Sequence, residues 1–165
     1  MKNKKLFEIF NGKHCIVTGG AGFIGSNLTY FLLEIGANII VIDNFSTGRK
    51  ENLDSNLSKN LLIINADLSE TDKTQKYFEG IDYVFHQAAI PSVPRSIAEP
   101  ILTNNSNINA TLSVLENSRR EGVTKVVYAA SSSAYGNTET LPKIENQAPS
   151  PLSPYAVQKL AGEMY

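Results

Sequence analysis

Three glycines constrain this chain more than any other feature. In Thr18-Gly19-Gly20-Ala21-Gly22-Phe23-Ile24-Gly25, Gly19, Gly22 and Gly25 fall at a T-G-x-x-G-x-x-G spacing. Before them lies a short apolar run, His14-Cys15-Ile16-Val17-Thr18; after them Phe23, Ile24, Leu28, Phe31, Leu32 and Ile35 recur at helical spacing. At such a junction the first glycine allows a tight turn, the next lets the backbone approach a pyrophosphate, and the third permits close helix-to-strand packing. The helix N-terminus adds unpaired N–H groups and positive dipole. A glycine pattern alone is weak, and a plain tight turn is the competing reading; the strand before it and the helix after it make it a candidate phosphate cradle.

The rest of the chain repeats the alternation. Asn38 to Ile42, Leu61 to Ile64, Asp82 to His86 and Lys125 to Ala130 read as further strands. Ser69 to Phe78, with Ser69 as cap, and Ile101 to Arg120, with Ile108, Leu112 and Leu115 on one face, read as helices. Gly36 closes the first long helix, and Ser153 with Pro154 opens a last one. Strands that are continuously apolar rather than alternating belong to a parallel sheet covered on both faces, so the expected architecture is α/β and doubly wound.

Composition excludes several classes of function. Among 165 residues, 42% are hydrophobic and 19% charged, which suits a globular domain and not a disordered tail. A formal charge of −1 gives no electrostatic basis for binding nucleic acid or an anionic membrane, so phosphates must be held locally. No segment approaches the ~20 apolar residues of a membrane span. Met1 to Phe10 has basic residues but a short apolar part interrupted by Glu8, and reads as an amphipathic lead-in, not a secretion signal. One cysteine, Cys15, and no zinc-type spacing fit a reducing, cytoplasmic location with no metal.

Asp43 ends the second strand 24 residues after Gly19, close to the ~20 expected of a carboxylate that accepts from ribose hydroxyls. It would repel a 2′-phosphate, which favours NAD over NADP, although Arg49 and Lys50 lie near enough to read a phosphate. Asp67 suits an adenine amino group or, equally, a helix cap. Ser131-Ser132-Ser133-Ala134-Tyr135-Gly136 follows the fifth strand, where ligands bind in doubly wound sheets. Tyr155 and Lys159 stand four apart, on one helix face. An ammonium near a phenol favours the phenolate, so Tyr155 is a candidate general base and acid. Taken singly, the serines are an ordinary polar loop and the Tyr/Lys pair an exposed stem contact.

Together and in this order, the glycine turn, the serine run and Tyr155-x-x-x-Lys159 resemble the short-chain dehydrogenase/reductase superfamily, and Asp43-Asn44 and Asp67-Leu68 resemble its extended, nucleotide-sugar branch. Asp43-Asn44-Phe45-Ser46-Thr47-Gly48, His86-Gln87-Ala88-Ala89, Ser92-Val93-Pro94-Arg95-Ser96-Ile97 and Pro151-Leu152-Ser153-Pro154-Tyr155-Ala156 are most similar to UDP-hexose 4-epimerases, especially those acting on N-acetylated UDP-sugars. The resemblance covers the chain from His14 onward. It implies NAD held by Gly19, Gly22, Phe23, Ile24, Gly25, Asp43, Asn44, Ser46, Thr47, Gly48, Asp67, Leu68, Gln87, Ala88, Ala89, Tyr155 and Lys159. It implies catalysis by Ser131, Tyr155 and Lys159, and a UDP-sugar near Ser92, Arg95, Ser131, Ser132, Ser133 and Tyr155. Related dehydratases and decarboxylases carry an acid just after the catalytic Ser/Thr; Ser132 and Ser133 stand there instead, which points to reversible epimerisation.

The resemblance further implies a homodimer, a place in nucleotide-sugar supply for surface polysaccharide, and a partner domain for the substrate. Residues 1–165 are therefore expected to be the N-terminal, NAD-binding part of a longer protein, inactive alone, with Val126, Val127 and Tyr128 on an uncovered sheet edge. Other extended nucleotide-sugar enzymes (UDP-glucuronate epimerase or decarboxylase, dehydratase) and a non-catalytic NAD-binding module are the competing classes. His14 and His86 read as strand residues with local hydrogen bonds, Cys15 as packing, Asn107 as a residue facing the cofactor, and Arg119 and Arg120 as a solvated helix end.

Overall fold

The computed structural model describes residues 2–54, 58–138 and 141–165. In chain order it has α1 (Lys2–Phe10), β1 (His14–Thr18), α2 (Phe23–Glu34), β2 (Asn38–Asp43), β3 (Leu61–Asn65), α3 (Thr71–Thr74) and β4 (Tyr83–His86). Then come α4 (Val93–Ala98), α5 (Pro100–Asn104), a π-helical stretch Asn105–Asn109, α6 (Ala110–Arg120), β5 (Lys125–Tyr128) and α7 (Pro154–Met164). The five strands are all parallel, in the order β3-β2-β1-β4-β5. The order reverses between β1 and β4, so the strand ends open a crevice there, at the carboxyl edge of the sheet.

Both faces of the central strands β1, β2 and β4 are largely buried, as their apolar runs require, while Leu62 of β3 and Val127 of β5 are exposed at the edges. Cys15, Val17, Ile39 and Val41 pack with Leu32 and Ile35 on one side, while Ile16, Ile42 and Val84 pack with Phe78, Ala110 and Val114 on the other. The lead-in α1 joins the first layer: Phe10 meets Tyr83 edge-on at 5.2 Å and Phe85 at 5.9 Å. None of the helices among the described residues is long and apolar enough to cross a membrane.

Four expectations are corrected. Asp82 stops short of β4, because its carboxylate accepts from Lys13 Nζ at 2.8 Å and from the His14 amide at 2.9 Å. β5 ends at Tyr128, two residues early. The helix between β3 and β4 is one turn of α-helix followed by a 3₁₀ turn, and Ser69 does not cap it; its amide and hydroxyl both turn back onto Asp67. In α6 the sheet-facing residues are Ala110, Thr111, Ser113, Val114, Asn117 and Ser118, with Leu112 exposed. Thr111 meets His86 Nε2 at 2.9 Å and Asn117 donates to the Thr71 carbonyl at 3.1 Å, while Ser113 Oγ and Ser118 Oγ are buried without a hydrogen-bond partner among the described residues.

Candidate active site

A cleft of about 440 Å³ opens where the strand ends part, well within the range of a cofactor site. Its floor is the glycine turn. Gly19 has φ of +65°, and a Cβ there would lie 2.7 Å from both N and Cα of Ala88, so the turn and the loop after β4 touch backbone to backbone. At Gly25 a Cβ would lie 2.8 Å from Gly20 Cα, so the first turn of α2 sits directly on the loop before it. Phe23 and Ile24, largely exposed, form the rim.

Asp43 is buried at the end of β2, where its two oxygens accept from the backbone of neighbouring loops: Oδ2 from the Ala21 amide at 2.9 Å, Oδ1 from the Phe45 amide at 2.8 Å. A carboxylate has about four lone-pair sites, so acceptor capacity remains for a ligand hydroxyl. Asn44 donates to Asp67 Oδ2 at 3.2 Å and accepts from the Ser46 amide at 3.1 Å, which ties the β2 and β3 loops together. Burial pushes the Asp67 carboxyl up, but hydrogen bonds from the Ser69 amide and hydroxyl and from Asn44 outweigh it and hold it below the usual carboxylate range. Asp67 thus shapes a turn, not a helix cap, while still lining the cleft.

Opposite, α7 begins with Ser153 accepting from the Ala156 amide at 3.1 Å, as a Ser-Pro start demands. The Tyr155 amide donates to Ser96 Oγ at 3.0 Å, docking the helix start on α4. One turn on, Lys159 is 4% exposed, and its Nζ donates to the Ala129 carbonyl at 2.9 Å. Burial lowers its pKa to about 8. Both residues line the cleft.

The residues that the resemblance implies at the cofactor, from Gly19 to Lys159, line this one cleft, and Asn107, also expected there, does not. The other expected residues lie outside its lining. Ser92 caps α4, accepting from the Arg95 amide at 3.2 Å, and Arg95 pairs with Glu99 at 2.7 Å. Ser131 Oγ is 2.8 Å from Ser133 Oγ and caps the turn Ser132–Tyr135. Asn107 does not face the cleft. It is buried, accepts from the Ile90 amide at 2.7 Å, and donates to the Ile90 carbonyl at 3.3 Å and to Gln158 Oε1 at 2.8 Å. Gln158 in turn donates to Thr103 at 3.1 Å, so one amide cluster ties the loop after β4 to α5 and α7. The wall residues that sequence reasoning missed include Ile42, Ala66, Ala129 and Ala130, all adjacent to motif residues at strand ends; Ser106 and Ala110 gave no such signal.

Beneath the cleft, the roles of His86 follow from proton counting. Thr111 Oγ1 donates its single proton to the Asn107 carbonyl at 2.6 Å, so at 2.9 Å it must accept from His86 Nε2–H. His86 Nδ1 is then the acceptor, and Thr18 Oγ1 donates to it at 2.7 Å. Thr18 Oγ1 itself accepts from the Gln87 and Ala88 amides, each at 3.1 Å. Every bond points the same way, which requires a neutral ring; burial, aided by the charge of Lys159, lowers its pKa to about 3.

A doubly wound parallel sheet, a glycine turn and a carboxylate at the next strand end, with Tyr155 and Lys159 across the cleft, define a dinucleotide-binding fold. More narrowly, the chain belongs to the NAD dependent epimerase/dehydratase family, whose model matches residues 15–165. A putative UDP-glucose 4-epimerase of Methanocaldococcus jannaschii is 38% identical over 152 residues, 91% of this chain and 48% of that protein. Among solved structures, UDP-N-acetylglucosamine 4-epimerase from Methanobrevibacter ruminantium M1, in complex with UDP-N-acetylmuramic acid, is 40% identical with a TM-score of 0.89, covering 94% of this chain and 50% of that one. UDP-glucose 4-epimerase of Thermus thermophilus, in complex with NAD, is 37% identical with a TM-score of 0.83, covering 92% and 49%. The chain therefore spans about half the length of the proteins it matches.

Proposed function

We propose that residues 1–165 hold NAD and supply the proton-transfer group for the 4-epimerisation of a UDP-sugar, UDP-GlcNAc/UDP-GalNAc or UDP-glucose/UDP-galactose. The observation that carries this reading is the meeting of Tyr155 and Lys159 with the glycine turn and Asp43 in one cleft. The cradle fits the cofactor: glycines stand where side chains would fill the floor, and Asp43 keeps free lone pairs beside them. Bound NAD supplies a hydride acceptor, and then donor, at C4 of the sugar.

Tyr155 would take the proton of the C4 hydroxyl as the sugar is oxidised to its 4-keto form, and would give it back to the same oxygen once the ketone has turned over and been reduced on its other face, so the reaction would be redox-neutral overall. Lys159 favours the phenolate by its positive charge, and its remaining N–H groups bind the nicotinamide ribose. Ser131 exchanges its bond to Ser133 for one to the reacting oxygen. Ser92, Arg95, Ser132 and Ser133 serve the sugar nucleotide, and no acid stands beside Ser131 to drive elimination of water. We place the reaction in the cytoplasm, in the supply of nucleotide sugars for surface polysaccharide. Exposed Ile101, Leu112 and Val157, on α5, α6 and α7, support a homodimer.

The test joins residues 1–165 to the C-terminal half of the M. jannaschii relative and follows UDP-GlcNAc and UDP-glucose with their C4 epimers by chromatography. Interconversion that Tyr155→Phe abolishes is expected. Undiminished turnover by Tyr155→Phe would remove Tyr155 from the mechanism, and no interconversion of either sugar pair would reject the activity.

A further inference from the structure

Lys159 presents a problem that the proposed chemistry does not solve. Its ammonium is buried, has one protein acceptor, the Ala129 carbonyl, and among the described residues no carboxylate lies within ion-pair distance. A buried charge needs compensation. The group that offers it is Tyr128, the last residue of β5, whose ring centroid lies 4.8 Å from Lys159 Nζ. The negative face of an aromatic ring attracts a cation at this range, the more so when both are desolvated.

Tyr128 is fixed on several sides. The His86 ring stacks on it at 5.7 Å with an interplanar angle of 28°. Its hydroxyl donates to the Lys159 carbonyl at 3.3 Å, so one side chain engages both the backbone and the ammonium of the same lysine. Gly162, about one turn beyond Lys159 on α7, leaves the necessary gap: a Cβ there would lie 2.6 Å from Tyr128 Cζ. Burial, then the charges of Glu163 and Tyr155, push the Tyr128 phenol up to about 12, so it stays protonated and is no rival base.

We propose that Tyr128 is a positioning residue for the proton-transfer pair: its ring face is the counter-charge of the Lys159 ammonium, and its hydroxyl pins α7 at that residue. The inference deepens the proposed function, since it explains how a lysine without a carboxylate partner keeps the charge that Tyr155 needs. The titratable groups around Lys159 are neutral His86 from β4, Tyr128 from β5, and Tyr155 and Glu163 from α7. The ammonium faces the ring of Tyr128 at 4.8 Å, and the Tyr128 phenol, pushed up to about 12, keeps its proton across the range in which Lys159 titrates.

The experiment uses residues 1–165 labelled at lysine Cε and Nζ, with Lys159 assigned from a Lys159→Arg spectrum and titrated by NMR from about pH 6 to 11, a range that brackets the lysine and stays near or below the tyrosine. The native chain is expected to titrate near pH 8, and Tyr128→Phe, which keeps the ring, within about 0.3 unit of it. Tyr128→Leu is expected to lower the value by about one unit, a tenfold loss of proton affinity. Phenylalanines carrying one, two and three fluorines at position 128 keep the shape while draining the ring face, and are expected to lower it stepwise with thermal melting unchanged. Should Tyr128→Leu fail to fold, the fluorine series decides. A Lys159 titration that stays level or rises along that series overturns the proposal. No turnover is read, so a failed epimerase assay leaves this result standing, and a level titration leaves the epimerase reading standing.

Discussion

His86 should make the chain acid-sensitive in a window where its carboxylates do not yet dominate. The unfolded ring has a pKa of 6.5 and the folded ring one of about 3, so between these values the unfolded state binds more protons. Stability therefore rises with pH across that window and is lost as pH falls from 6.5 towards 3. At ~1.36 kcal/mol per unit, the loss between about pH 6.5 and 4.5 is about 2 kcal/mol from this one residue, a large share of a typical 5–15 kcal/mol. His86→Gln removes the titration while leaving one acceptor and one donor for Thr18 and Thr111. At neutral pH it should cost about 2 kcal/mol, for the lost ring packing and poorer hydrogen bonds. Urea unfolding of both chains at half-unit steps from about pH 7.5 to 4.5 cancels every other titrating group. The native advantage should shrink below about pH 6.5 and vanish near pH 5. Two curves that stay parallel down to the acid end of that range would refute the neutral, doubly bonded ring.

Three further outcomes follow from the same contacts. Gly19→Ala must hold a Cβ at positive φ against the Ala88 backbone, and should cost about 3 kcal/mol in urea unfolding together with a calorimetric loss of NAD affinity. Asn107→Ala leaves the Ile90 amide and carbonyl unpaired, and should speed exchange of the Ile90 amide at least about tenfold, with a stability loss of roughly 2–4 kcal/mol. Ser153→Ala removes the cap of α7 and should lower stability by about 1 kcal/mol in thermal melts, with little change in the β1–β2 half of the sheet by hydrogen exchange.

What the sequence displays well is whatever is local. Runs such as Ile39–Ile42 are apolar throughout because both faces of β2 are covered, and the turn from Thr18 to Gly25 carries its geometry in its own glycines. The expected cofactor residues share one cleft because most of them follow a strand, and parallel strands deliver all their carboxyl ends to one edge. What escaped is whatever depends on a distant partner. His86 is 68 residues from Thr18 and 25 from Thr111, and Asn107 is 51 from Gln158. The apolar periodicity of Ile108, Leu112 and Leu115 did not mark the buried face: Leu112 is exposed, and α6 buries Ala110, Thr111, Ser113, Val114, Asn117 and Ser118 instead. Ser69 looked like a cap but met a nearer acceptor in Asp67.

Those distant pairs explain why polar side chains occupy the layer under the cleft where aliphatic ones would bury more surface. An apolar contact tolerates small slips of one element past another, whereas a directional chain of hydrogen bonds does not, since each misplaced member leaves a buried group unpaired. From the Gln87 and Ala88 amides through Thr18, His86 and Thr111, the chain ends on the Asn107 carbonyl, and the Asn107 side chain grips Ile90 and Gln158. The glycine turn, the loop after β4 and the helix bearing Tyr155 and Lys159 are thereby held to one geometry. In the proposed epimerisation a hydride at C4 and the proton of its hydroxyl can be exchanged together only if the groups that handle them keep that registry, which would give the polar layer a reason that stability alone does not.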